Sequence, residues 1–527
     1  MTTVGIRLVE GLIARGIDTV FGIPGVHTIE LYRGLAAAGD RIRHVTPRHE
    51  QGAGFMADGY ARVSGKPAAA FVITGPGLTN TLTAMAQAKA DSVPMLVISG
   101  LGRSDTLGKG LGRLHELPDQ GAMVATLCHT ETVTDPKKLG DVLDRAFAAM
   151  TSGRPGPAHI QISTNMMAQP CPDLPPPVVA GSTVPLPLGR IRGIATALNA
   201  AERVVILAGG GIRGSETALQ KLAESLDAPV IQTVNARGAM FGHPLAVPAS
   251  PSLTSIRQFI ADADQILAIG TELGPTDYDM FANGRVPNLS DMIRIDICAD
   301  QLARHPAKMP VKAEAGAMMA ALLPMTIRAK REGAERAKAA CQAARAELAT
   351  LYEPMPGQLD MVEAIRDAMP NSIIVGDSTQ PVYAANLYYD HDRPRGWFNA
   401  ATGYGALGYG PGAAVGAAIA APGVPVVCLI GDGGLQFSPG ELRTAVDEKL
   451  PITFVVWNNA GFREISEALR QAKVDPILGC SPSPLDMENF AMACDMVFAS
   501  VPQDPDQLAE MLMTPHDGPR FLEIQVR

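Results

Sequence analysis

The stretch VCLIGDGGLQFSPGELRTAVDEKLPITFVVWNN, residues 427–459, decides the fold. A buried-strand run ends in Gly431-Asp432-Gly433-Gly434, a helix is expected next, and a second strand run ends in Asn458-Asn459. Glycines without Cβ let a backbone turn press its N–H groups onto phosphate oxygens, and the following helix directs its positive N-terminus to the same place. Asp432 and Asn459 supply hard oxygen donors of the kind Mg²⁺ prefers, with diphosphate oxygens and water completing the shell. The stretch therefore reads as a metal-diphosphate cradle. A Gly-Asp-Gly turn alone follows many parallel strands, and the paired asparagines at the end of the next strand are what single this one out.

Outward from it, short Val/Ile/Leu runs at 71–74, 95–99, 204–207, 265–269, 293–297, 373–375, 426–430 and 453–457 alternate with helical stretches. That alternation predicts an α/β chain of three doubly wound parallel-sheet domains. Residues 168–187, AQPCPDLPPPVVAGSTVPLP, carry seven prolines and hold neither a helix nor a central strand. A softer boundary follows an Ala/Glu/Arg/Lys-rich helix expected over about 325–352, which ends at Glu353-Pro354-Met355-Pro356-Gly357. The expected domains are 1–167, 188–340 and 355–527. The outer two echo each other, since Gly75 to Pro94 and Gly431 to Pro451 mark strand, turn, helix and proline at intervals that differ by one residue.

Length and composition set limits. A chain of 527 residues with 46% hydrophobic content can fill several cores. A net charge of −9 without any Lys/Arg-rich run disfavours nucleic acid and anionic membranes as partners. Residues 1–11 lack a charged n-region with an apolar core, and no apolar stretch reaches membrane-spanning length, so the cytoplasm is the expected location. The seven cysteines are scattered, with no C-x-x-C and no nearby His at ligand spacing.

Two further stretches complete the pattern: RHEQGAGFMADGYAR at 48–62, a small-residue helix entered through a carboxylate, and the glycine-rich TGYGALGYGPG at 402–412. The first can be an ordinary helix with Glu50 at its positive end and Arg62 on the surface. Together with the 427–459 stretch, they resemble the thiamine diphosphate (ThDP) enzymes, closest in pattern to the acetolactate synthase and 2-oxo acid decarboxylase branch, over nearly the whole chain. The resemblance implies a pyrimidine-binding and a diphosphate-binding domain of shared fold flanking a central domain. It makes Glu50 the catalytic carboxylate that hydrogen-bonds N1′ of the aminopyrimidine. Thr379, Gly405, Leu407, Gly431, Asp432, Gly433, Gly434 and Asn459 would contact the cofactor, with the Gly405 carbonyl on the 4′-amino group and Leu407 wedged beneath the bent cofactor. Leu407 as plain core is the alternative. Asp432, Asn459 and the main-chain oxygen of Gly461 would bind Mg²⁺. Glu50 of one chain would meet the diphosphate site of another, which implies a homodimer or homotetramer with active sites between chains.

Departures from the family's patterns narrow the reading. Ala208-Gly209-Gly210-Gly211 resembles the FAD turn of acetolactate synthases, but the run at 270–277 lacks the Arg-Phe-Asp-type sequence expected for flavin contacts, so no FAD is expected. No His-His pair of the pyruvate decarboxylase kind occurs, and Val26 followed by His27 stands where those enzymes place an Asp. His115-Glu116 stands where synthases place Phe-Gln near the substrate, and a carboxylate there attracts a cationic tail. The same stretch resembles decarboxylases of 5-guanidino-2-oxopentanoate; Glu116 as a surface residue or a partner of Arg113 is the alternative. Asp377-Ser378-Thr379 looks more like decarboxylase than synthase sequence. The expected activity is ThDP- and Mg²⁺-dependent, non-oxidative decarboxylation of a small 2-oxo acid, with His27, His115, Glu116 or Glu464 as candidates around the reacting carbon. A carboligase that joins two 2-oxo acids and a non-catalytic ThDP-binding relic are the alternatives.

Overall fold

The computed structural model describes residues 2–178, 184–276, 289–352 and 354–526. It contains three six-stranded sheets with flanking helices. The first holds β1 (Thr19–Gly22), β2 (Arg43–Val45), β3 (Ala68–Val72), β4 (Met95–Leu101), β5 (His129–Val133) and β6 (Pro157–Ser163), in the order β2-β1-β3-β4-β6-β5. The second holds β7 (Val204–Ala208), β8 (Val230–Gln232), β9 (Ala246–Val247), β10 (Gln265–Ile269), β11 (Ile293–Asp296) and β12 (Met309–Lys312), in the order β12-β11-β10-β7-β8-β9. The third holds β13 (Ile373–Gly376), β14 (Trp397–Asn399), β15 (Val426–Gly431), β16 (Ile452–Asn458), β17 (Val497–Pro502) and β18 (Arg520–Gln525), in the order β14-β13-β15-β16-β18-β17. The pairings within the first two sheets are parallel, as continuous apolar strands covered on both faces require.

The first and third sheets carry the same strand permutation, and the Gly75 and Gly431 turns both follow the third strand of their sheet. The internal echo is thus one of topology. The central sheet has the doubly wound order of a dinucleotide-type fold. Its Gly209 and Gly211 pack closely on the facing loop, because a Cβ on Gly209 would press into Gly270 and Thr271 and one on Gly211 into the Gly270 backbone.

The helix expected after the Gly431–Gly434 turn is Glu441–Asp447, preceded by the single turn Asp432–Leu435. Pro439 and Gly440 lie in the break, where a missing N–H and a flexible residue oppose helix propagation. The helix expected over about 325–352 spans Gly333–Leu351, preceded by Glu332 in the left-handed region. Of the proline-rich linker, residues 179–183 lie outside the described residues. Its start is fastened to the N-terminal segment, where the Val4 N–H donates to the Gln169 carbonyl and the Cys171 N–H to that of Thr2.

The chain divides into two compact units. One comprises Met1–Ser182, Tyr404–Ser500 and His516–Arg527, and the other Thr183–Gly403 and Val501–Pro515. The second unit is built on a core from Ile191 to Leu322 that covers one face of the central sheet, through alternate strand residues such as Val204, Ile206 and Ala208.

Within the first unit, the helix Glu50–Ser64 lies against the helix Tyr409–Ala420 with little between the backbones. A Cβ at Gly59 would overlap the Ala413 carbonyl, and one at Gly416 would overlap that of Met56. Alanine is the better helix former by about 1 kcal/mol, yet neither obstructing group is a side chain that can swing aside. Gly59→Ala is therefore expected to lower stability by roughly 1–3 kcal/mol, read as a reduced urea midpoint.

Beside this seam Arg62 is 2% exposed, so the surface reading of this residue does not hold. Its Nε lies 2.6 Å from Asp58 Oδ1 and its Nη2 2.7 Å from Asp91 Oδ2. Tyr409 donates its hydroxyl to Asp58. Gln87 donates to Asp91 (2.7 Å) and accepts from the Ala406 N–H (3.3 Å), so the buried network ends at the glycine-rich turn.

Candidate active site

β15 delivers Gly431 and Asp432 to the edge of its sheet, and β16 delivers Asn458 and Asn459 beside them. The two asparagines part company there. Asn458 is spent locally, donating to Glu523 Oε1 (2.6 Å) and accepting from the Ala460 N–H (3.2 Å). Asn459 is buried in the loop with Asp432. Asp432 Oδ2 accepts from the Gly461 N–H at 3.0 Å, which brings all three expected metal donors into one loop cluster. Burial pushes the Asp432 carboxyl pKa up, opposed by N–H groups of Asn459, Gly461 and Gly433. A Cβ on Gly433 would collide with the Phe462 ring, so only glycine keeps the turn this close. Gly461 has φ 142° and sits against the Cys480 carbonyl, which also accepts from the Phe462 N–H (2.9 Å). One carboxylate, one amide and one carbonyl are a hard, weakly charged donor set that leaves room for diphosphate oxygens, and they fit Mg²⁺. Among the described residues no cluster of three His, Cys, Asp or Glu side chains competes for a metal.

Glu50 begins the helix Glu50–Ser64, capped by His49, whose ring nitrogen accepts from the Gln51 N–H. Its Oε2 accepts from Asn80 Nδ2 at 3.0 Å, and Thr81 donates to its carbonyl at 3.4 Å. Gly77 lies close by, where a Cβ would press on the Ile73 side chain at 2.8 Å. In the glycine-rich turn, Gly405 is exposed with φ 75° and nothing near its Cα, Leu407 is half-buried, and Ser438 donates to the Gly408 carbonyl (2.7 Å). Thr379 belongs to the second unit, where it is buried and precedes the helix Gln380–Leu387. Asp377, before it, accepts from the Ser378 N–H.

His27 and His115 come together although 88 positions separate them, with ring centroids 5.6 Å apart in an edge-to-face arrangement. Burial, and then the neighbouring His115, lower the pKa of His27. Glycines make the meeting possible: a Cβ on Gly75 would press on the His115 backbone, and one on Gly100 on His27 and Thr74. Glu116, next to His115, turns its oxygens to its own loop and accepts from the N–H groups of Leu111 (3.3 Å) and Arg113 (2.9 Å). Those backbone donors, Arg113 first, hold its carboxyl below the usual range. The partner is thus the Arg113 backbone and not its guanidinium. Glu464 is exposed in the first turn of the helix Arg463–Gln471.

Asn80, Gln87, Asp58 and Glu441 are site-supporting residues that sequence reading did not single out. Nothing local to Asn80 points to its carboxylate partner 30 residues away.

Comparison with known proteins agrees with this geometry. Residues 2–123 match the thiamine pyrophosphate enzyme N-terminal TPP binding domain, 191–322 the central domain, and 377–524 the C-terminal TPP binding domain. The chain belongs to the thiamine pyrophosphate enzymes, the family whose resemblance the motifs carry. It is 41% identical over 517 residues to the "Probable 2-ketoarginine decarboxylase AruI" of Pseudomonas aeruginosa, spanning 96% of this chain and 90% of that protein. It is 31% identical over 467 residues to the acetolactate synthase isozyme 1 large subunit of Escherichia coli, spanning 86% and 81%. With the "Probable acetolactate synthase large subunit" of Methanocaldococcus jannaschii it shares 28% over 541 residues, spanning 96% and 88%.

Proposed function

We propose that this enzyme decarboxylates a 2-oxo acid whose far end is cationic, with 5-guanidino-2-oxopentanoate, that is 2-ketoarginine, as the substrate. The observation that carries this is the 41% identity across 96% of the chain to a protein named for that activity. Glu116 beside His115 supports it, because a carboxylate there offers a guanidinium a partner of opposite charge.

Bound thiamine diphosphate supplies a carbon that holds the electron pair released as CO₂ leaves. Asp432, Asn459 and the Gly461 carbonyl hold the Mg²⁺, and the Gly431–Gly434 turn brings its N–H groups to the diphosphate. Glu50 holds a proton at N1′, oriented by Asn80. Gly405, Leu407 and Thr379 would lie among the contacts of the cofactor. The close pair His27 and His115 handles the proton that ends the reaction as aldehyde, with Glu464 as a further acid at the rim. No flavin takes part in this reading, because the run at 270–277 lacks the Arg-Phe-Asp-type sequence of flavin contacts. The working form is a homodimer or homotetramer in which Glu50 of one chain serves another chain's cofactor, and the enzyme is cytoplasmic. Among the described residues, no helix is long and apolar enough to cross a membrane.

The relation to acetolactate synthases keeps carboligation as the second reading. The test is to load the protein with thiamine diphosphate and Mg²⁺, offer pyruvate and 5-guanidino-2-oxopentanoate separately, and identify CO₂ and the organic product. The expected result is the guanidino aldehyde from the second, with little turnover of pyruvate. Acetolactate from pyruvate would sink the decarboxylase reading.

A further inference from the structure

Glu441 opens the helix that follows the metal loop, and at 1% exposure it is among the most deeply buried carboxylates of the first unit. Its partners lie at the entrance to the helix that carries Glu50. The Arg48 N–H stands 3.1 Å from its Oε1 and 3.2 Å from its Oε2, and the His49 N–H stands 3.0 Å from Oε1. Thr444 donates its hydroxyl to Oε2 at 2.8 Å. Gly52 is needed for this approach, because a Cβ there would overlap the Glu441 carboxylate. Two outer contacts grip the same entrance: Arg43 pairs with Glu448 at 2.6 Å, and Arg48 with Asp447.

Burying a carboxylate is costly unless each oxygen is answered. Burial pushes the Glu441 carboxyl pKa up, while Thr444 and the N–H groups of Arg48 and His49 draw it back. N–H groups at a helix entrance lack partners within the helix, and negative charge is favoured at that end. Glu441 therefore fixes where the chain enters the first turn, and Glu50 is the first residue of that turn. The metal loop and Glu441 are separated only by the break at 436–440.

We propose that Glu441 is a positioning residue for Glu50, tying the catalytic carboxylate to the metal loop of the same chain. The inference rests on the role of Glu50 given above. Glu441 itself touches backbone and Thr444, so its loss acts on turnover per loaded site and not on cofactor affinity.

The test compares the parent, Glu441→Ala, Glu441→Gln and Glu50→Gln as full-length holoenzymes. Cofactor Kd is read by calorimetry, kcat at saturating cofactor and substrate, and amide hydrogen exchange of the segment around residues 46–56 in cofactor-free protein. Glu441→Ala is expected to exchange faster at that segment and to lose on the order of 10–100-fold in kcat, as a displaced catalytic group does, with Kd unchanged within about twofold. Should the alanine variant fail to fold, Glu441→Gln decides. An amide offers one acceptor oxygen where the carboxylate uses two, so kcat is expected to fall several-fold with Kd retained. Parental kcat in Glu441→Gln, or a Kd that weakens in step with kcat in either variant, would overturn the proposal. Full activity in Glu50→Gln would overturn instead the reading of Glu50 on which it stands.

Discussion

Glu50→Gln is expected to reduce turnover by about 10²–10⁴-fold, the usual contribution of a positioned acid or base, while cofactor affinity changes little. Glutamine keeps the length and one acceptor, so the Asn80 bond to residue 50 survives and the helix Glu50–Ser64 remains in place. What is lost is a group able to share a proton with N1′. Kinetics at saturating thiamine diphosphate and Mg²⁺, beside calorimetric titration of the cofactor, separate the two quantities. A variant with parental kcat would mean that the carboxylate is only a helix-end charge, the plain reading its sequence also allows.

The largest stability effect is expected at Arg62. Arg62→Leu leaves Asp58 and Asp91 buried beside each other without the cation that answers both, and such a truncation costs roughly 3–5 kcal/mol. Urea unfolding of the cofactor-free protein measures it. Restoring neutrality with Asp58→Asn and Asp91→Asn in the same chain should recover a large part of the loss, since replacing a whole buried ion cluster is far cheaper than breaking it. Because Gln87 joins Asp91 to the Ala406 N–H, the single variant should also loosen the turn that bears Gly405 and Leu407. An Arg62→Leu protein as stable as its parent would show that water reaches this site.

What was legible in the sequence was local. The Gly431–Gly434 turn and Asn459 are carried by one βαβ unit, and the strand runs at 265–269, 373–375 and 426–430 lie on β10, β13 and β15 to within a residue. The helix expected between the Gly431–Gly434 turn and the next strand is present as Glu441–Asp447, and Ser438-Pro439-Gly440 spells the break before it. The sequence leaves a surface place open to Arg62 as the plain alternative, because its partners Asp91 and Tyr409 lie 29 and 347 positions away and no window of sequence contains them. Glu441 was invisible for the same reason: as the first residue of a helix it has an ordinary explanation, and the N–H groups it answers are nearly 400 residues upstream. Spacing reveals groups that act on a ligand, whereas groups that hold those groups depend on which surfaces the fold brings together.

The glycine seam between the helices Glu50–Ser64 and Tyr409–Ala420 has a mechanical consequence. Packed helices can slide past each other when side chains between them exchange rotamers, and that shear is one common way for proteins to open. Here the nearest atoms across the seam at Gly59 and Gly416 are carbonyls, which have no rotamers to exchange. A shift by one residue in either direction would bring Asp58 or Tyr60 onto a backbone that tolerates no Cβ. The scaffold beneath the glycine-rich turn and the Glu50 carboxylate thus resists shear as a unit, in contrast to the loop 102–119, where Gly108, Gly110 and Gly112 all take positive φ.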